Sequence, residues 1–149
     1  MGSFKATPGL YLHIPFCRSF CPFCPYNKVL YEPGLVRDYF KALSREVGWY
    51  QAHLRKPFAS LYIGGGTPTL CLEELESIVK AIPVDGEKAI EMLPSHATEG
   101  NVRHVKGLGI NYLSLGIQSF NESVLHYLKR PHTVADNHQA LQRVAGRFD

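Results

Sequence analysis

Four short apolar runs, each ended by proline or glycine and each followed by a longer amphipathic stretch, constrain this chain most. Residues 9–14 stop at Pro15, 59–63 at three glycines, 88–93 at Pro94, and 111–116 close on Gly116. Each run reads as a strand. Between them, from Leu35, the positions Val36, Tyr39, Phe40, Leu43, Val47 and Tyr50 recur at helical spacing. Pro33 suits an early position of that helix, which is expected to end before Pro57 and to put its aromatic stripe in the core. A second helix is predicted over Leu72–Ala81, with Leu75, Ile78 and Val79 on one face. A short third helix is predicted over 98–107, capped by Thr98, and two more over 122–129 and Val134–Val144. Strands alternating with helices imply an α/β fold on a parallel sheet. Four such units do not close a barrel that in full form takes eight strands.

At 149 residues, with 45% hydrophobic and 19% charged, the chain suits one globular unit with a core and excludes disorder. No run approaches the roughly 18–20 apolar residues of a membrane span. Residues 1–9 lack the layout of a secretory leader, so a cytoplasmic location is expected. A net charge of +3, with the basic residues scattered, argues against a nucleic-acid partner.

Three of the four cysteines, Cys17, Cys21 and Cys24, fall within eight residues on the loop after the first strand. A disulfide, a zinc site and merely buried thiols are the alternatives to a cluster. Clustered thiols in a reducing compartment favour metal over disulfide. Structural zinc takes four ligands, usually as two pairs, and no second pair is present. A [4Fe–4S] cluster on three thiolates leaves one iron open to another ligand. Pro15, Phe16, Phe20, Pro22 and Phe23 are expected to stiffen this loop and exclude water. Cys71 reads as a packed thiol, and His13 as a residue that helps build the strand and loop.

Three further segments end strands. In Gly64-Gly65-Gly66-Thr67-Pro68 the glycines permit backbone N–H groups to approach a ligand. The Gly-Lys-Ser/Thr ending of a Walker A loop is absent. Glu91 precedes Pro94 by three residues, and a lone acid there is more often solvated than functional. Gln118 follows the fourth strand, and Arg130 follows twelve residues later; alone, each reads as an ordinary satisfied polar residue. Ligands of open α/β sheets gather at this strand-end edge.

Taken in order, Tyr11-Leu-His-Ile-Pro-Phe-Cys17-x3-Cys21-x-Phe-Cys24, the Gly-Gly-Gly-Thr-Pro segment, Glu91-x-x-Pro94 and Gln118 with Arg130 resemble the radical S-adenosylmethionine proteins. More narrowly, they resemble the oxygen-independent coproporphyrinogen III oxidase and haem chaperone group. The resemblance implies a partial (β/α) barrel, with residues 1–149 an N-terminal portion supplying about four of six βα units. It implies a [4Fe–4S] cluster on Cys17, Cys21 and Cys24, whose open iron chelates S-adenosylmethionine. Gly65, Gly66 and Thr67 would contact the methionyl part, Glu91 the cofactor, Gln118 the nucleoside, and Arg130 the cofactor again. Tyr11 and Phe23 match positions near the adenosine or the cluster.

The implied chemistry is reductive cleavage to a 5′-deoxyadenosyl radical, which abstracts hydrogen from a small substrate such as a porphyrinogen, with flavodoxin or ferredoxin as electron donor. A haem-binding chaperone and a radical methyltransferase share these motifs. Two positions depart from the pattern. Leu93 replaces the family's Asn or Asp, and Pro25 follows Cys24 where the oxidase continues Gly-Cys. The resemblance assigns no further catalytic residue.

Overall fold

The computed structural model describes residues 7–54 and 56–149; residues 1–6, most of the stretch read for a leader, lie outside them. In chain order the strands and α-helices are β1 (Leu10–Ile14), β2 (Phe16–Cys17), β3 (Val29–Leu30), α1 (Pro33–Leu54), β4 (Leu61–Gly65), α2 (Leu72–Ala81), β5 (Lys88–Met92), α3 (Glu99–Gly107), β6 (Tyr112–Leu115), α4 (Glu122–Tyr127) and α5 (Val134–Val144). Short 3₁₀ turns, Pro68–Leu70 and Pro94–His96, follow β4 and β5.

The four expected strands form one parallel sheet in the order β1-β4-β5-β6. Its register aligns Leu12 with Ile63, Ile63 with Ile90, and Ile90 with Leu113. That row faces the helices, and its first three members are almost fully buried. The next row, Tyr11, Tyr62, Ala89 and Tyr112, faces the other way, and its three tyrosines are exposed. Helices therefore cover one face only. A doubly wound sheet would bury both faces, whereas part of a barrel wall leaves its inner face open. The partial (β/α) barrel expected from the motifs is the fold.

The core lies between sheet and helices, where Val36, Phe40, Leu43 and Val47 of α1 meet Leu75, Ile78 and Val79 of α2 and Val102 and Val105 of α3. Each such side chain contributes roughly 1.5–3 kcal/mol by leaving water. The helical stripe over-reached at Tyr50, which is exposed and stands at a small surface cavity with Leu10 and Tyr11 of β1. Thr98 caps α3 as expected, its hydroxyl accepting from Asn101 N–H at 3.2 Å. A capping box at α5, with Thr133 and Asp136 bonded reciprocally, went unread in the sequence.

Candidate functional site

The cysteine loop is closed at its base. Phe16 and Cys17 pair in parallel with Val29 and Leu30, and Tyr31 N–H donates to Cys17 O at 2.8 Å. His13 adds a second tie. Its Nε2 donates to Asn27 O at 3.1 Å, leaving Nδ1 to accept from the Tyr11 hydroxyl at 2.9 Å. Phe16 is fully buried, edge-on to Tyr31 and Tyr39, and anchors the loop to α1. Phe20 and Phe23, by contrast, are roughly half exposed. The loop is thus stiffened from its base, and the expected water-excluding aromatic cover is not formed by these two rings.

Cys17, Cys21 and Cys24 are all partly exposed free thiols. Thr67 Oγ1 donates to Cys17 Sγ at 3.9 Å, and Arg130 Nη1 donates to Cys21 Sγ at 3.5 Å. Burial pushes the Cys17 thiol up, and the Thr67 hydroxyl and then the Lys28 ammonium pull the other way. Among the described residues, no three His, Cys, Asp or Glu side chains converge closely enough to hold a single ion. Zinc would draw its thiolates to one centre at about 2.3 Å. A polynuclear cluster takes each thiolate on a different iron and needs no such convergence.

The glycine loop is used differently from its sequence reading. Gly65 N–H is taken by Glu91 Oε2 at 3.2 Å, Gly66 N–H by Ile14 O at 2.8 Å, and Thr67 N–H by Phe16 O at 2.8 Å. These donors serve the protein, so the loop does not offer a nest of free N–H groups. The glycines instead let protein groups come close. A Cβ on Gly64 would lie 2.9 Å from Glu91 Oε1, and one on Gly66 would lie 2.7 Å from both Pro15 O and Phe16 O. Gly65 also has φ 118°, which disfavours any side chain.

Glu91 sits on the open face of the sheet, opposite Ser114. One oxygen accepts from the Tyr62 hydroxyl at 2.9 Å, and the other from Gly65 N–H. Burial and then the Glu91 carboxylate raise the Tyr62 and Tyr11 phenols above their ordinary value, so both remain protonated at neutral pH. Leu93 lines the same cleft beyond β5.

After β6 the chain turns sharply at Gln118, which has φ 58°. Its amide lies over Gly116, where an added Cβ would come within 3.6 Å of Oε1. Arg130 reaches the same place, Nη2 donating to Gly116 O at 3.0 Å, with its guanidinium 5.9 Å from the Phe23 ring centre. Its Nε is buried and has no partner. An unmet donor, two sulfur-directed hydrogen bonds and three soft thiols suit an anionic thiolate cluster and a ligand carrying acceptors.

These residues share one cleft of about 460 Å³. Its walls include the three cysteines and Phe23, then Gly65, Gly66 and Thr67, and then Glu91, Gln118 and Arg130. The volume suits a cofactor-sized molecule. Tyr11 does not line it. Its ring stacks on Tyr62 at 6.0 Å and faces a smaller cavity beside α1. Cys71 is fully buried at the start of α2, outside the cleft, and its thiol is pushed up to about 12 by burial.

Sequence reasoning missed Arg18, Lys28 and His96 on the cleft wall. His96 Nδ1 pairs with Thr69 Oγ1 at 2.8 Å, and burial, with Arg18 adding to it, holds its pKa below the ordinary value. Its place after Pro94, at a strand end, was the available signal.

Comparison with known proteins gives a consistent result. Residues 11–149 match the Radical SAM superfamily. The chain is 34% identical over 157 residues to the haem chaperone HemW of Synechocystis sp., covering 97% of this chain and 38% of that protein. It is also 34% identical over 142 residues to the oxygen-independent coproporphyrinogen III oxidase of Synechocystis sp., covering 87% of this chain and 30% of that protein. Among solved structures, coproporphyrinogen III oxidase (HemN) from Escherichia coli, described as a radical SAM enzyme, superimposes with a TM-score of 0.85 at 28% identity. That match covers 98% of this chain and 36% of the other. The chain therefore spans between 30% and 38% of the length of these relatives.

Proposed function

The chain belongs to the Radical SAM superfamily, and from that premise we propose that Cys17, Cys21 and Cys24 carry a [4Fe–4S] cluster with S-adenosylmethionine at its open iron. The chemistry supplied when both are bound is one-electron cleavage of the sulfonium to methionine and a 5′-deoxyadenosyl radical. The observation that carries this reading is convergence: motifs from four successive strand ends line one cleft.

The chain's own groups divide the work. Thr67 and Arg130 donate to two of the sulfurs, which stabilises thiolate over thiol and tunes the potential. Glu91, fixed by Tyr62 and Gly65, offers a carboxylate to a cationic ammonium. Gln118 presents an amide that both donates and accepts, which suits a nucleoside edge. Phe23 provides an apolar surface at the rim. Oxygen-labile chemistry and reduced thiols suit a cytoplasmic setting. Among the described residues no helix is long and apolar enough to cross a membrane.

For the whole protein we propose hydrogen abstraction from a porphyrinogen, in the manner of the oxidase, with a flavodoxin or ferredoxin supplying electrons. A haem chaperone role is the second reading. It is favoured by the absence, after Cys24, of the Gly-Cys with which the oxidase pattern continues, and by the HemW relatives. Anaerobic reconstitution with iron and sulfide tests the shared part: the reduced protein should give a [4Fe–4S] EPR signal that changes on adding S-adenosylmethionine. An unchanged signal at full iron content and saturating cofactor rejects it. Coproporphyrinogen-stimulated release of 5′-deoxyadenosine selects the oxidase; stable haem retention without that stimulation selects the chaperone.

A further inference from the structure

Two buried polar side chains have no task in the cofactor site as described. His132 is 4% exposed and Asn137 0%, and neither is among the residues lining the cleft. Both donate to main-chain carbonyls of the turn that follows β6. His132 Nε2 lies 3.2 Å from Ile117 O, and Asn137 Nδ2 lies 2.8 Å from Ser119 O. Arg130 Nη2 holds Gly116 O from the same stretch of chain. Residues 116, 117 and 119 are thus each gripped, and Gln118 stands between them in the left-handed region, at φ 58°. A residue with a Cβ disfavours that conformation, so the surroundings must impose it.

Packing alone does not explain these residues. His132 Nδ1 and Asn137 Oδ1 are buried without partners. Each side chain leaves one polar atom unsatisfied while aiming its donor at a carbonyl. An apolar residue would fill the space without that penalty, so the donors are what the site needs.

We propose that His132 and Asn137, with Arg130, clamp the backbone around Gln118, and that this clamp positions the Gln118 amide for the nucleoside part of S-adenosylmethionine. His132 and Asn137 are positioning residues: they act through the 116–119 carbonyls and touch no cofactor. The assignment rests on the proposed cofactor site, so its test reads the clamp independently of the ligand.

The experiment uses the reconstituted protein and two measurements, hydrogen exchange of a peptide spanning residues 115–121 without ligand, and equilibrium binding of S-adenosylmethionine. His132→Met removes the donor at similar volume. It should raise exchange and weaken binding by about tenfold, the scale of one lost hydrogen bond to a buried carbonyl. His132→Gln returns a donor at similar reach and should behave like the parent in both measurements. Cluster content should be the same in both variants. If His132→Met does not fold, Asn137→Ser reads the same two quantities. Unchanged exchange, or raised exchange with unchanged affinity, overturns the clamp, as does a His132→Gln variant as impaired as His132→Met. Gln118→Ala reports on the underlying site separately: unchanged affinity there refutes Gln118 as a contact, whatever His132 does.

Discussion

Gly66→Ala should damage the fold before it damages any cofactor contact. A Cβ at this position would lie 2.7 Å from Pro15 O, 2.7 Å from Phe16 O and 2.8 Å from Pro15 C, whereas ordinary contact begins at 3.4 Å. All three neighbours are backbone atoms at the base of the cysteine loop, so no side chain can swing aside. The two segments must separate by about 0.7 Å, enough to stretch Gly66 N–H to Ile14 O and Thr67 N–H to Phe16 O, both now 2.8 Å, out of hydrogen-bond range. Overpacking of this kind costs roughly 1–3 kcal/mol, and each lost backbone bond about 1 kcal/mol more. The expected loss is about 3–5 kcal/mol, or a fall in Tm of roughly 6–20 °C for a domain of this size. Gly48→Ala is the control. Gly48 lies exposed in α1, and an added Cβ meets nothing within 4 Å. It should stabilise by roughly 0.5–1 kcal/mol through helix propensity. Thermal melts of the two variants without cluster or ligand compare the effects directly. If Gly66→Ala melts within about 2 °C of the parent and loses only affinity for S-adenosylmethionine, the packing argument is wrong and the glycine serves the ligand.

Replacing Cys17, Cys21 or Cys24 by Ala should abolish the cluster, measured as iron and sulfide content, while Cys71→Ala retains it and loses only about 1 kcal/mol of stability; cluster loss in Cys71→Ala would show the ligand set to be wrong. Glu91→Gln substitutes an NH₂ for one of the two acceptors that hold Tyr62 and Gly65, and should weaken S-adenosylmethionine binding by about tenfold, with parent-like affinity counting against the carboxylate's role. His132 and His96 both have folded-state pKa values below the ordinary 6.5, chiefly through burial, with Arg130 near the first and Arg18 near the second adding to the shift; the hydrogen bond to Ile117 O, then Asp136 and Glu122, partly oppose it at His132. The unfolded chain therefore binds protons first, so the stability of the cluster-free protein should be insensitive to these two groups above about pH 6.5 and fall as pH drops below it. His132→Gln should flatten part of that acid limb in urea titrations, and an unaltered limb refutes the assignment.

How much of this was legible in the sequence depended on whether a feature is local. Strands ended by Pro15, Pro94 and the three glycines were readable because each stop acts on its own backbone. The buried face of α1 was readable at Val36, Phe40, Leu43 and Val47, since period alone places them together. It failed at Tyr50, which is left exposed beside β1, because how closely a helix residue meets its sheet is a tertiary fact. Phe20 and Phe23 failed likewise: aromatic character predicted burial, but the loop is anchored by Phe16 beneath them, which leaves their rings at the rim.

The site shows the same boundary more sharply. Motif order along four strands implied that Cys17, Gly65, Glu91 and Gln118 meet at one edge, and a parallel sheet guarantees it, since every strand ends there. What each group does at that edge was not encoded in the motif. The N–H groups of Gly65, Gly66 and Thr67 are consumed by Glu91, Ile14 and Phe16, partners 26 to 52 residues away in sequence. The left-handed turn at Gln118 is held by Arg130, His132 and Asn137, whose spacing follows neither a helical face nor a strand pattern, because their shared targets are three carbonyls of a bent segment. Side chain-to-backbone bonds leave no periodicity in a single sequence. A buried histidine or asparagine in a helix-capping region therefore looks ordinary until the carbonyl it faces is known. On the proposed clamp, those carbonyls fix the cleft wall at Gln118 without themselves being read from any motif.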